Sequence, residues 1–222
     1  MLLNRIKRIK AGTWILFDDN FLVHFGGVTR ISRWFTYTSL PFNHHMSNIL
    51  VERLISLKDP RLYVFAEPPQ KVHDDPNIWV LPSNPGPVPY VGHLYGLTTS
   101  NGDAVSWNGG REYTSRIGDW FMILDEDNNI GSEMASEPMV WATYSEMNFI
   151  LAEIVKRGII AGGDGVAKQY YEEGIKACLE YYDCEFAGNE KYDGAYGNEG
   201  LSDVTEYLTQ QQVDWNGGGG II

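Results

Sequence analysis

The chain is poor in cysteine, poor in positive charge, and without any long apolar run. Two cysteines in 222 residues, Cys178 and Cys184, cannot supply a disulfide framework. A bridge between them would also need a helix end to curl back within the short Cα separation a disulfide allows, so two free thiols are expected, with Cys178 buried. Lys and Arg number 17 against 29 Asp and Glu, a net charge of -12. Nucleic acid is excluded as a partner, because a binder needs a cationic surface to displace counterions from phosphates. The one basic cluster, within residues 5–10, reads as a solvated end. No segment approaches the length of a membrane span, and the run from Trp14 to Phe17 is also too short for a signal-peptide core. Also missing are a G-x-S-x-G elbow, a phosphate loop and a dinucleotide fingerprint, so nothing identifies an enzyme or implies a cofactor. What is present is 43% hydrophobic and 13% aromatic content, enough for one domain with a sizeable core or two small ones.

The clearest local signals lie between Pro138 and Tyr182. Thr143-Tyr144-Ser145-Glu146 has the form of a capping box. Met147, Ile150, Leu151 and Ile154 then recur at helical spacing and are expected to form the buried face. Gly158, behind Lys156 and Arg157, stands where a C-cap glycine belongs. After the Gly162-Gly163-Asp164-Gly165 turn, a second helix carries Ala167, Tyr170, Tyr171, Gly174, Ala177, Cys178 and Tyr181 on one side. Its small residues permit close approach, and an antiparallel helix hairpin is predicted. Elsewhere, Ser47 is read as the cap of a helix over 48–57 with Leu50, Leu54 and Leu57 inward, ended by Asp59-Pro60. Leu62 to Phe65 reads as extended, Phe21 to Phe25 and Trp79 to Leu81 as short strands, and Asp203 to Gln212 as a last helix capped by Ser202 with Val204, Tyr207 and Leu208 inward.

Several of these residues also carry a family resemblance. Tyr144-x-Glu146-x-x-Phe149-x-x-Ala152-Glu153, Arg157-Gly158, Tyr171-x-x-Gly174-Ile175 and Tyr181-Tyr182 resemble the C-terminal half of SusD/RagB proteins, the surface glycan-binding lipoproteins of Bacteroidetes. Leu57-Lys58-Asp59-Pro60-Arg61-Leu62 resembles the family's DPRL segment, and Tyr90-x-Gly92-x-x-x-Gly96 its glycine-spaced loop. The similarity runs over roughly residues 40–212, in the family's order. It implies a mainly α fold: a SusD-like helical scaffold with a tetratricopeptide-like helix hairpin, long irregular loops and a few short strands. It further implies non-catalytic oligosaccharide or nutrient binding at the outer-membrane surface, and delivery to a SusC-like TonB-dependent transporter. Two departures stand against the family pattern. Met1 to Lys10 shows neither a secretory signal nor a lipid-bearing cysteine, and the chain stops at Gly217-Gly218-Gly219-Gly220-Ile221-Ile222 where the family continues. An internal piece of a longer protein is the resulting expectation: one SusD-like region over 1–222, with an uncertain segment 1–40, a loop region 67–118 and a helical scaffold 143–212.

The loop region carries the candidate site. Seven prolines between Pro68 and Pro89 and the glycines 86, 92 and 96 bar any long regular element there. Its aromatic content argues against disorder. Sugars bind by stacking a flat C–H face on an aromatic ring while polar side chains take the rim hydroxyls. Trp79, Tyr90, Tyr95, Trp107 and Trp120, with Arg111, are the candidate ligand-binding residues, among Asn84, Asn101, Asp103 and Asn108. For any single ring, core packing is the competing account. The acidic composition suits a neutral ligand, though solubility alone selects it too.

Weaker constellations are assigned to turns and surface. Asp125-x-Asp127-x-Asn129 has alternating oxygens, but its glycine falls at Gly131 and the twelfth position is Ser136, so a polar turn is favoured over a calcium loop. His24, His44, His45, His73 and His93 lack metal-ligand spacing, and His44-His45 is read as an exposed pair. The competing functions are a glycoside hydrolase using loop carboxylates and a helical-repeat scaffold for another protein, although only one helix pair is visible.

Overall fold

The computed structural model describes residues 15–17, 20–23, 45–71, 87–97, 107–118 and 139–215. The expected strand at Trp79 to Leu81, the polar turn beginning at Asp125, the aromatic stretch near Trp34 and the glycine tail lie outside them.

Among the described residues the fold is mostly helical, with one small sheet. Strands β1 (Ile15–Phe17), β2 (Asn20–Val23) and β3 (Met139–Ala142) form an antiparallel sheet in the order β1-β2-β3. Ile15 is paired with Leu22, and Val23 with Met139, with an irregularity between Phe21 and Leu22. The sheet thus delivers the chain from β3 directly into the cap residue Thr143.

Helix α1 (Asn48–Ser56) buries Val51, Leu54 and Ile55, not the predicted Leu50, which is exposed. The inward stripe is therefore turned by one residue from the expected one. Ser47 is at the cap position without a side-chain cap bond. The helix closes as a Schellman motif, Asp59 N–H to Leu54 O at 2.9 Å and Lys58 N–H to Ile55 O at 3.0 Å, with Lys58 in the left-handed region at φ 50°.

Leu62–Phe65, expected to be extended, is a short helix, α2. Its start explains the reversal. Pro60 is pre-set for a first helical turn, and the Asp59 carboxylate accepts from the Arg61 backbone N–H at 2.9 Å. The same Asp59-Pro60 pair that ends one helix therefore starts the next.

The hairpin is formed by α3 (Tyr144–Lys156) and α4 (Gly163–Tyr181). Thr143 Oγ1 accepts from Glu146 N–H at 2.9 Å, the expected half of the capping box. Gly158, at φ 72°, completes a Schellman motif with Ile159 N–H to Ile154 O at 3.1 Å. The helices run antiparallel, with Ser145 Oγ donating to Gly174 O at 2.6 Å at one end and Val155 packed with Ala167 at the other. A Cβ on Gly174 would stand 2.9 Å from the Phe149 ring, so glycine is required for this approach.

The buried face of α3 differs from the predicted one. Ser145, Asn148, Ala152 and Val155 are buried, while Met147 and Ile150 are 46% and 50% exposed. Small side chains face α4 because they allow the backbones to approach, and the larger aliphatics are left outside. Ile159 and Ile160 extend the exposed apolar surface beyond the helix end.

Two short helices complete the fold. Asn189 caps α5 (Glu190–Tyr196), its Oδ1 accepting from Lys191 and Tyr192 N–H. The last helix, α6 (Val204–Leu208), is shorter than predicted and is capped by Asp203, with Ser202 bonded to the Glu206 carboxylate. Tyr207 is buried and Leu208 packs beside it, as expected. The main core joins α1, α2 and α5 around Tyr90, and Trp215 seals the turn end of the hairpin.

Candidate functional site

Two stretches of the loop region are held against the start of α1 by a narrow seam of backbone pairing. Ser47 bridges His93, His45 bridges Arg116, and Ala66 bridges Ile117. The seam is drawn tight by Met46 N–H to Ser115 O at 3.0 Å, His93 N–H to Met46 O at 2.6 Å and Ser115 N–H to Val91 O at 2.7 Å. Glycine makes this possible. A Cβ at Gly92 would lie 2.2 Å from Asn48 Cα, and one at Gly118 would lie 2.2 Å from Val64 O.

Beyond the seam, Trp107-Asn108-Gly109-Gly110 forms a strained turn. Asn108, Gly109 and Gly110 take φ of 55°, 89° and 130°, a run that L side chains resist. Gly110 N–H to Trp107 O closes it at 3.1 Å, and the adjoining 3-10 turn Arg111–Tyr113 is tied down by Lys71, whose Nζ lies 2.6 Å from Glu112 Oε1. The contact holds the Lys71 ammonium above its ordinary pKa.

This framework presents a row of rings. Trp107 stands 5.3 Å from His93, and His93 stands 5.7 Å from His45, centroid to centroid. Thr114 Oγ1 meets His45 Nδ1 at 2.7 Å and orients that imidazole. All three residues are half-buried. The histidines were not among the predicted site residues, and His45 is half-buried against the expectation of an exposed pair. Their spacing in sequence gives no sign of the row, because the seam alone brings 45, 93 and 107 together.

Of the predicted residues, Trp107 lies in this row. Tyr95, on the Gly92–Gly96 loop two residues after His93, is 83% exposed. Arg111 begins the turn that follows Trp107. Tyr90 is a correction: at 4% exposure it belongs to the core with Val51 and Tyr196, and burial raises its hydroxyl pKa. No face of it is available for stacking. Trp79 and Trp120 lie outside the described residues.

A second concavity, of about 200 Å³, is lined by Arg61, Cys178, Phe149, Tyr171, Tyr207 and Gln212. It is smaller than the roughly 300–1,000 Å³ usual for ligand pockets. Its one cation is committed, since Arg61 Nη2 lies 2.5 Å from Asp59 Oδ2. Cys178, predicted buried, is half-buried on this wall; both thiols are free. Burial raises the Cys184 pKa, which makes that thiol a poor nucleophile.

Comparison with known proteins decides the family. A family model described as starch-binding and associating with the outer membrane matches residues 8–221. The chain belongs to this SusD-like family. That family is described by binding and not by a reaction, consistent with the lack of enzyme signatures in the sequence. Among solved structures, the chain is similar to a SusD homolog from Bacteroides fragilis NCTC 9343, at TM-score 0.57 and 20% identity over 90% of this chain and 38% of that one. It is also similar to an outer membrane protein from Bacteroides vulgatus ATCC 8482, suggested to take part in nutrient binding, at TM-score 0.52 and 20% identity over 97% and 40%. A third, a chitin-binding protein, gives TM-score 0.50 and 25% identity over 85% and 37%. The chain thus spans about two fifths of the length of these solved structures. No curated protein matches it. With the SusD-like fold in hand, the two upstream motifs acquire distinct roles. Asp59-Pro60-Arg61-Leu62 joins helices in the core, and Tyr90-x-Gly92-x-x-x-Gly96 carries the seam and presents His93 and Tyr95.

Proposed function

We propose that this SusD-like chain binds oligosaccharide without altering it, at the bacterial cell surface, as part of a nutrient-capture system that hands its ligand to a SusC-like TonB-dependent transporter. The observation that carries the binding site is the Trp107–His93 ring pair, braced by the bridged seam, with the exposed Tyr95 two residues after His93 in the chain. A flat sugar face can stack on the indole, while the Asn108 amide donates to Tyr113 O at 3.4 Å and so helps to hold the turn. Rigid presentation limits the entropy lost on binding, since the turn is already held by Lys71 and Gly110. The family's description, the chitin-binding relative and the nutrient-binding relative support the same reading.

Isothermal titration against starch, chitin and other oligosaccharides tests it. Trp107→Ala is expected to weaken the best ligand by about 5- to 150-fold, the loss of one stacked ring of about 1–3 kcal/mol. Tyr90→Phe leaves affinity unchanged, because that ring is in the core. A folded protein that gives no heat with any glycan, or a Trp107→Ala variant with wild-type affinity, overturns the assignment. Product analysis after long incubation should show every glycan intact.

A further inference from the structure

We infer that the ring row selects acidic saccharides, with the sugar face on Trp107 and a carboxylate or sulfate at the His45–Arg116 end; this rests on the glycan reading above. The placement follows from the seam. His45 and Arg116 are bridged antiparallel, and Met46 N–H to Ser115 O identifies them as a non-hydrogen-bonded pair. In such a pair the two side chains leave the same face at their closest separation. Arg116 therefore stands beside His45, whose ring adjoins His93, which adjoins Trp107.

The cation at that end is not spent on the protein. Arg116 Nε is buried and has no hydrogen-bond partner among the described residues. The residue as a whole is half-buried, and a guanidinium nitrogen without a partner is best satisfied by an anionic ligand oxygen. Among the described residues, the Glu112 carboxylate is engaged by Lys71 at 2.6 Å. In a chain of net charge -12, anions are repelled from the surface at large, so a local cationic end beside a stacking ring gives selection as well as affinity. Neutral sugars would gain the ring and leave Arg116 as it is. Acidic sugars gain both.

An array carrying neutral, uronic-acid and sulfated oligosaccharides, probed with the intact chain, tests the inference. The acidic members should bind at least about tenfold tighter than neutral members of the same backbone, as a charge-assisted hydrogen bond predicts. Their affinity should fall as salt is raised, while that of any neutral binder holds. Arg116→Gln should remove the acidic preference, and Arg116→Lys should keep part of it, with neutral binding unchanged in both. The salt series on the wild-type chain gives the answer even where Arg116→Gln fails to fold. Binding of neutral glycans alone, or of both classes equally, overturns this inference and leaves the glycan reading intact. Binding of no glycan overturns both.

Discussion

The Tyr207 hydroxyl donates to Asp59 Oδ2 at 2.6 Å, joining residues 148 positions apart. It is one of several bonds by which the far end of the chain holds the Lys58-Asp59-Pro60-Arg61 turn. Tyr192 OH donates to Lys58 O at 2.9 Å, Tyr196 OH to Asp59 O at 2.9 Å, and Gln210 Nε2 to Leu57 O at 2.9 Å. Burial works against the Arg61 charge, but the Asp59 carboxylate more than restores it, and the guanidinium stays above its ordinary pKa. This turn is a structural latch: it converts a short family motif into the meeting point of α1, α2, α5 and α6.

Breaking the latch should cost stability in proportion to what is left unpaired. Tyr207→Phe removes one bond to a buried carboxylate and is expected to cost about 1.5–3 kcal/mol. Asp59→Ala leaves the half-buried Arg61 guanidinium and the Tyr207 hydroxyl without their acceptor and should cost about 3–5 kcal/mol. Urea midpoints for the two variants check the order; equal losses would mean that the ion pair is not buried as described.

The same tyrosines predict alkaline lability. Burial pushes the Tyr63 and Tyr192 hydroxyls up to about 12, against 10.0 for the free group. Because the folded value lies above the unfolded one, their contribution is complete below pH 10 and is lost as pH rises through 12. Far-UV circular dichroism across that window should show unfolding. Helices that keep their signal unchanged well above pH 12 would contradict it.

Gly92 and Gly96 should respond differently to alanine. At Gly92 the new Cβ meets Asn48 Cα at 2.2 Å, so the seam must open, and a loss of at least about 1–3 kcal/mol is expected together with loss of glycan binding. At Gly96 nothing stands within 4 Å, and only the φ of 84° opposes the change, costing about 1–2 kcal/mol. Thermal melts of both, with titration of the better ligand, distinguish the two mechanisms.

The outer face of α3 should tolerate charge. Ile150 and Ile159 are 50% and 72% exposed, so Ile150→Lys and Ile159→Lys are expected to change stability by no more than about 0.5 kcal/mol while reducing self-association. Denaturant midpoints and sedimentation measure both. A large loss of stability would show that this face is covered in the folded chain.

The hairpin was legible because its punctuation is local. Thr143 and Gly158 each act within four residues, and no distant partner is needed for a cap or a left-handed turn. The face that α3 buries was not legible, since Met147 and Ile150 give the stronger hydrophobic signal, yet close approach at Gly174 favours Ser145 and Ala152. The helix at Leu62 was hidden for a related reason: four apolar residues suit a strand or a helix, and only the Asp59 bonds choose between them. Trp107 could be nominated from composition, but its neighbours could not. His45, His93 and Trp107 become one row only when the backbone pairing of separated segments is made, and long-range hydrogen bonds of that kind leave no periodic trace in the sequence. By itself, then, the sequence determined the family, the ends of the hairpin's first helix and the glycines that permit contact; tertiary structure decided which faces meet, because packing distance and hydrogen-bond partners are properties of pairs remote along the chain.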